Sequence, residues 1–411
     1  MKRILVFILI GTLALAQLSS CTADSAAQPL SASKVTVSPS SNSQVNQALS
    51  TFGLHLLQKA RETQSQEPVL LSPLSVALAL SMAANGADGN TLAQFEQILG
   101  GGAALEELNA ACAQIMKDYQ NLDGSTDCSI ANSIWVDPDG HISNDFIGRC
   151  SGIFDAQVFQ EDLSNRSIVS ALNSWVSQHT NKMIPQIISQ PFQEETAALL
   201  VNALYLKNTW AQKFDPNSTG THSFTYADGH TEKMDFLNAG YTSFPYLQGE
   251  GVQGVVLPYD DERLGFFALL PDQDLGSWLN SLEGTDLVQM LSQRTDTHFL
   301  HLGLPKFETE WKGSLVENLI SLGLKDAFLP GIANFSQLGE LDEGYYLSQV
   351  IHAAKIEVNE NGTEAAAATI VATSGSGAPL ESGITLVFDR PFLYGIVDLE
   401  SGIPLFLGTF E

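Results

Sequence analysis

The chain has 411 residues, with 46 acidic side chains against 19 lysines and arginines and a formal charge of −27. So acidic a balance argues against nucleic acid or a bare anionic surface as partner. Hydrophobic residues make up 44% of the chain, ample for a large core.

The N-terminus reads as an address. Lys2 and Arg3 precede an apolar run from Ile4 to Leu15, too short to span a bilayer as a mature helix. Leu18-Ser19-Ser20-Cys21 matches a bacterial lipobox, so residues 1–20 are expected as a lipoprotein signal and Cys21 as the lipidated residue. The expected product is an exported lipoprotein, anchored to a membrane and facing the cell exterior or periplasm. Residues 21–44, rich in Ser, Ala, Thr and Pro, read as a flexible tether. Residues 45–411 hold no linker-like stretch and no repeat, and read as one domain. Cys112, Cys128 and Cys150 form no disulfide framework, although one pair is possible.

Ser72 and Pro73 suit the start of a helix through Ala84, and Gly86 suits its stop. That helix is apolar nearly all round, which predicts burial on most sides. A second helix carries Leu92, Phe95, Ile98 and Leu99 on one face, and a third runs from Leu105 to Tyr119. Ser129–Val136 reads as a strand, Ile168–Gln178 as a helix and Thr196–Tyr205 as a continuous apolar strand. Further strands are expected at 254–257, 264–270, 298–304, 345–358, 386–388, 391–397 and 403–409. Helices dominate the first half and strands the second. The fold class is therefore α+β, helices packed on a large, mostly antiparallel sheet.

Catalytic motifs are missing. There is no phosphate loop, no HExxH and no GxSxG elbow. Ser31-Ala-Ser-Lys34 has the SxxK spacing, but no Lys-Thr-Gly follows. His298 and His301 are three apart, and on a strand they point to opposite faces. No enzyme activity, cofactor or metal is expected.

The most informative stretch is Glu360 to Thr369. Ala365 to Ala368 favour helix, whereas Thr369, Ile370, Val371 and Thr373 favour strand. Ser374-Gly375-Ser376-Gly377 then reads as flexible loop. Mixed preferences of this kind suit a segment with more than one conformation.

Many motifs, in order, resemble the serpin family over nearly the whole of residues 45–411. They are Leu71-Ser-Pro-Leu-Ser75, Leu200-Val-Asn-Ala-Leu-Tyr-Leu-Lys-Asn-Thr-Trp210, Phe214-Asp-Pro216, Leu304-Pro-Lys-Phe307, Leu322 to Phe328 and Ala333-Asn-Phe-Ser336. The closest match is Gln349 to Ala365, which resembles the strand and hinge before a serpin reactive loop. Phe388-Asp-Arg-Pro-Phe392 and Pro404 to Gly408 resemble its C-terminal strands.

The resemblance implies a monomeric suicide-substrate inhibitor of serine proteases. A protease cuts an exposed loop (here about 360–385), and the loop then enters the central sheet as a new strand, trapping the acyl-enzyme. The hinge would be Glu360, Gly362, Thr363, Glu364, Ala365, Ala366, Ala367, Ala368 and Thr369. Alternation puts Thr363, Ala365, Ala367, Thr369, Val371 and Thr373 on the buried face, and no proline interrupts the ladder before Pro379. Inserting about 14 residues would carry the protease roughly 45 Å at ~3.3 Å per residue.

Glu360 is expected to pair with Lys306. Ser72, Ser75, Asn202 and His352 match a hydrogen-bonded shutter beneath the sheet, and Trp210 matches the aromatic where the loop enters. The family's count from its base glutamate, applied to Glu360, implies a reactive bond at Ser376-Gly377, with Thr373-Ser374 and Ser374-Gly375 as rivals and Leu380-Glu381 more remote. No Lys or Arg lies between Lys355 and Arg390, so small-residue specificity is expected, of the elastase or subtilisin kind. The alternative is a non-inhibitory serpin acting as a binding or carrier lipoprotein.

Overall fold

The computed structural model describes residues 27–63, 68–120, 122–193, 196–363 and 383–411, the side chains at 241 and 296–299 excepted. Cys21, hinge residues Glu364 to Thr369 and each candidate reactive bond (Thr373 to Gly377, and Leu380-Glu381) lie outside the described residues.

Among the described residues, six helices occupy the first half: α1 (Ser43–Thr63), α2 (Pro73–Ala84), α3 (Gly89–Gly100), α4 (Leu105–Tyr119), α5 (Asn144–Ile153) and α6 (Ser167–His179). Short helices α7 (Leu275–Ser281), α8 (Asp286–Ser292) and α9 (Val316–Ser321) follow. The early strands are β1 (Leu70–Leu71), β2 (Asp127–Val136), β3 (His141–Ile142), β4 (Gln157–Gln160) and β5 (Ala198–Thr209). Then come β6 (Gly220–Thr225), β7 (Thr231–Gly249), β8 (Val252–Pro258), β9 (Leu264–Pro271), β10 (Thr295–Pro305) and β11 (Phe307–Ser314). The last are β12 (Gly339–Glu340), β13 (Leu347–Val358), β14 (Gly362–Thr363), β15 (Ile384–Val387), β16 (Phe392–Asp398) and β17 (Pro404–Phe410).

Two large sheets result. One has the order β1-β17-β16-β9-β8-β7-β10-β15, with β6 paired to β7. The central sheet has the order β11-β13-β14-β5-β2-β4. Alternation along β5 and β13 sorts their side chains between two cores. Leu200, Leu204, Val350, Ala354 and Ile356 join the main core, which also contains α2. Leu199, Val201, Ala203 and Ala353 pack on the opposite face with Ile168, Leu172 and Trp175 of α6.

Helix α2 is buried along its whole length, as its unbroken apolar run predicts. Ser72 precedes it but makes no side-chain cap bond. The start is fixed instead by Pro73, whose missing N–H leaves one donor fewer to satisfy. Cys112, Cys128 and Cys150 are free thiols, and burial pushes those of Cys112 and Cys128 up to about 12, too high for thiolate chemistry at neutral pH.

The tether reading needs correction over its described part. Residues 27–42 lie against the body, with Leu30, Ala32 and Val37 packed on the main core and Ala27 on the second. Asn42 and Ser43 already belong to a helix start, because the Asn42 side chain accepts from the amides of Gln44 and Val45.

Candidate functional site

The functional geometry centres on how β5 and β13 share an edge. They pair in parallel only between Leu347–Ala353 and Ala198–Ala203. Above that level each strand keeps its outer partner, β2 for β5 and β11 for β13. Their inner edges part, and β14 sits between them. Thr363 pairs with Val358 on one side and Asn208 on the other. The sheet therefore has a mouth at its top and a closed seam below. Unpaired backbone groups at such an inner edge favour strand addition.

The mouth is assembled from Glu360, Gly362, Thr363, Lys306 and Trp210, all singled out in the sequence. Thr363 is 1% exposed, and its pairing puts its side chain on the core face, as alternation requires. A Cβ on Gly362 would strike the carbonyl of Asn208, so only glycine lets the hinge backbone come this close.

Lys306 Nζ lies 2.9 Å from Glu360 Oε1, and Thr219 Oγ1 donates to the same oxygen at 2.8 Å. Burial alone would raise the Glu360 carboxyl. The bonds from Lys306 and Thr219 outweigh it and hold the group below the usual glutamate range. The Trp210 indole donates to the Asn359 carbonyl at 2.8 Å, and its backbone amide donates to the Asn361 carbonyl at 2.9 Å. Its ring stacks on Tyr259 at 4.8 Å. One tryptophan thus ties the end of β5 to the bend that precedes β14.

Sequence reasoning missed a second anchor. Asp261, 7% exposed, accepts from Thr126 Oγ1 at 2.7 Å and from the amides of Arg263 and Leu264 at 2.8 and 2.6 Å. It also accepts from Asn208 Nδ2. One carboxylate therefore joins the end of β5, the approach to β2 and the β8–β9 turn. Nothing local in the sequence marks these distant residues as partners.

The other predicted residues gather lower down. Asn202 lies six residues before Asn208 along β5, about 20 Å at ~3.3 Å per residue. His352, Asn202 and Asn132 stand opposite one another across β13, β5 and β2. Asn202 Nδ2 donates to Asn132 Oδ1 at 2.6 Å, and the Ser72 amide donates to His352 Nε2 at 3.0 Å. Burial lowers the His352 imidazole to about 3, so it is neutral and accepts through Nε2. The hydroxyls of Ser72 and Ser75 have no protein partner here, so the expected shutter network is hydrogen-bonded only in part.

Comparison with known proteins agrees with this geometry. The family model described as serpin (serine protease inhibitor) matches residues 47–411. The chain is a serpin. Mouse neuroserpin is 28% identical over 382 residues, covering 88% of this chain and 90% of that one. Pig plasminogen activator inhibitor 1 is 30% identical over 366 residues, covering 87% and 90%. Among solved structures, the thermophilic serpin tengpin in its native state superposes with a TM-score of 0.86 at 32% identity, covering 93% and 99%. The same protein in its latent state gives 0.76 at 30% identity, covering 91% and 99%. Serpins are typically serine protease inhibitors rather than enzymes.

Proposed function

We propose that this serpin inhibits serine proteases by trapping the acyl-enzyme, the cut loop entering the central sheet between β5 and β13. The observation that carries the reading is the wedge at the mouth, where Gly362 and Thr363 already form the first two residues of an inserting strand.

The register supports it further. Thr363 faces Val358 and Asn208, and each further residue of an antiparallel strand moves one place down both neighbours. Thr369 would then arrive between His352 and Asn202, and Thr373 or Ser374 would reach the lower end of the paired region at Leu347 and Ala198. A cut at Ser376-Gly377 leaves just enough chain to fill the sheet and still hold the enzyme. Residues 363–373 on the buried face are Thr, Ala or Val at every second place, small enough to pass over the core.

The targets follow from the lack of any basic residue between Lys355 and Arg390: proteases of the elastase or subtilisin kind, with shallow specificity pockets. Export, lipidation of Cys21 and a monomeric state belong to the same proposal and rest on the sequence alone. Mixing the protein with elastase and running a denaturing gel tests the trap. A stable higher band is expected, and mass spectrometry of the released peptide should begin at Gly377. Clean cleavage by both elastase and a subtilisin, with no such band, would favour the non-inhibitory carrier reading. Labelled fatty acid incorporated by the wild type and not by Cys21→Ala would support the anchor.

A further inference from the structure

The dipeptide Asn-Gly occurs at Asn85-Gly86 and at Asn361-Gly362. It carries a reaction of its own. Glycine has no side chain to keep its backbone nitrogen away from the preceding asparagine. That nitrogen can attack the asparagine Cγ. A new C–N bond forms, the bond to the side-chain nitrogen breaks, and ammonia leaves a five-membered succinimide. Water then opens the ring at one carbonyl or the other. The products are aspartate and isoaspartate, and in the second the main chain runs through the former side chain.

The two sites stand in opposite surroundings. Asn85 is 4% exposed, and its Nδ2 donates to the Ser81 carbonyl and to Asn109 Oδ1, each at 2.9 Å. Asn109 Nδ2 donates back to Asn85 Oδ1 at 2.8 Å, and the Gly86 amide donates to the Ala83 carbonyl at 2.9 Å. Electrophile and nucleophile are both tied down.

Asn361 is half-buried and sits with Glu360 in the two-residue bend between β13 and β14, where the Asn359 amide donates to the Gly362 carbonyl at 3.1 Å. Its side-chain oxygen has no hydrogen-bond partner among the described residues. The Trp210 amide donates to the Asn361 carbonyl, which makes 361 and 210 a hydrogen-bonded pair. The next pair, Gly362 with Thr209, is then of the non-hydrogen-bonded kind, and the Gly362 nitrogen turns away from β5. A cleft of about 440 Å³, lined by Asn361, Asn359 and Lys306 among others, opens beside the bend and admits water.

We infer that Asn361-Gly362 is a site of spontaneous deamidation whose product blocks loop insertion, so that the hinge carries a chemical timer. This rests on the insertion reading given above. Isoaspartate adds one atom to the main chain just before Gly362, where Trp210 grips the carbonyl of residue 361 and Gly362 presses on Asn208. Thr363 then loses its register with Val358 and Asn208, at the first step of insertion. Either product also sets a new carboxylate next to Glu360, which already takes up Lys306 and Thr219.

The test ages the uncut full chain in mildly alkaline buffer, where the Gly362 nitrogen loses its proton more readily. Trypsin then releases the peptide between Lys355 and Arg390. Fragmentation in the mass spectrometer locates the change of amide to carboxylate, and labelling by an isoaspartate methyltransferase counts the rearranged product. Asn361 should react at least about tenfold faster than Asn85, whose reaction waits on local unfolding. Anion exchange of the native aged sample separates the modified form by its added charge. The unmodified fraction should trap elastase or a subtilisin as fresh protein does, and the modified fraction should be cleaved with loss of the covalent complex. Asn361→Gln, which would need a less favourable six-membered ring, should keep its trapping through the same incubation. An Asn361 that stays intact, or reacts no faster than Asn85, would overturn the site. A modified fraction that traps like fresh protein would overturn the timer. Fresh wild type is the control. If it is cleaved by both proteases without a complex, insertion itself fails and the timer falls with it, whereas trapping by fresh protein with Asn361 unchanged after ageing refutes this inference alone.

Discussion

The mouth and the seam of the central sheet lie about 20 Å apart on the same two strands and are held by different chemistry. Charge brackets the mouth: Glu360 with Lys306 and Thr219 on the β13 side, and Asp261 with Asn208 and Thr126 on the β5 side. The seam row contains only neutral groups, the amides of Asn132 and Asn202 and an imidazole held uncharged. The difference fits the mechanics. A buried ion pair that is pulled apart leaves uncompensated charges, costing about 3–5 kcal/mol, so a seam that parts as proposed above cannot hold one. At the mouth, Glu360 and Lys306 sit on the rim of the opening, beside Gly362 and Thr363.

The strongest way to break this comparison is to put a charge where the strand enters. Thr363→Arg should abolish the covalent complex and leave a cleaved substrate, because an arginine cannot be buried unpaired where Thr363 is 1% exposed. The ratio of complex to cleaved protein on a denaturing gel reads it directly.

Acid should do something similar to the seam. His352 is neutral when folded and has an ordinary value of 6.5 when unfolded, so the unfolded chain binds more protons between the two values. Stability that is full above 6.5 should fall as pH drops toward 3, by up to about 1.4 kcal/mol per unit from this group. Urea midpoints across that range, compared with His352→Gln, measure its share.

A third, smaller effect belongs to the Lys306–Glu360 pair. Lys306→Ala removes the charge that holds Glu360 ionised and should cost about 1–3 kcal/mol at neutral pH. The Glu360 carboxyl is held below its ordinary value, so its contribution is present above about 4.5 and is lost as pH falls through the lower folded value. The difference between mutant and wild type should therefore shrink in acid. Smallest of the four, Trp210→Phe keeps most of the ring's packing and loses one bond to Asn359, worth about 1 kcal/mol and a melting shift of a few degrees.

How much of this could be read in advance depends on whether the signal is local. Helix α4 spans Leu105–Tyr119, the bounds its pattern predicted, and the all-apolar α2 is buried as expected. Strand β7 was missed. It runs for 19 residues and changes partners from β6 and β10 to β8 along its length, so no single alternation marks it. Helix α1 was also missed, although Leu49, Phe52, Leu56 and Leu57 are buried. The Ser-rich run before it drew attention to a tether. At the site, Glu360, Lys306 and Trp210 stood out through resemblance to the family. Asp261 did not, because its partners Thr126 and Asn208 lie far away in sequence. The docking of residues 27–42 was illegible for a related reason. Ser, Ala and Pro suit a linker in isolation, and only Gly148 and Gly152 of α5 turn that composition into a docked segment.

The claim at the centre of this account is that the cut loop becomes a strand between β5 and β13. Its most direct test compares the melting temperature of the intact protein with that of protein cut once within the loop. The account predicts that cutting stabilises, with a rise well beyond the few degrees one hydrogen bond is worth. A melting temperature that stays the same or falls after cutting would contradict it.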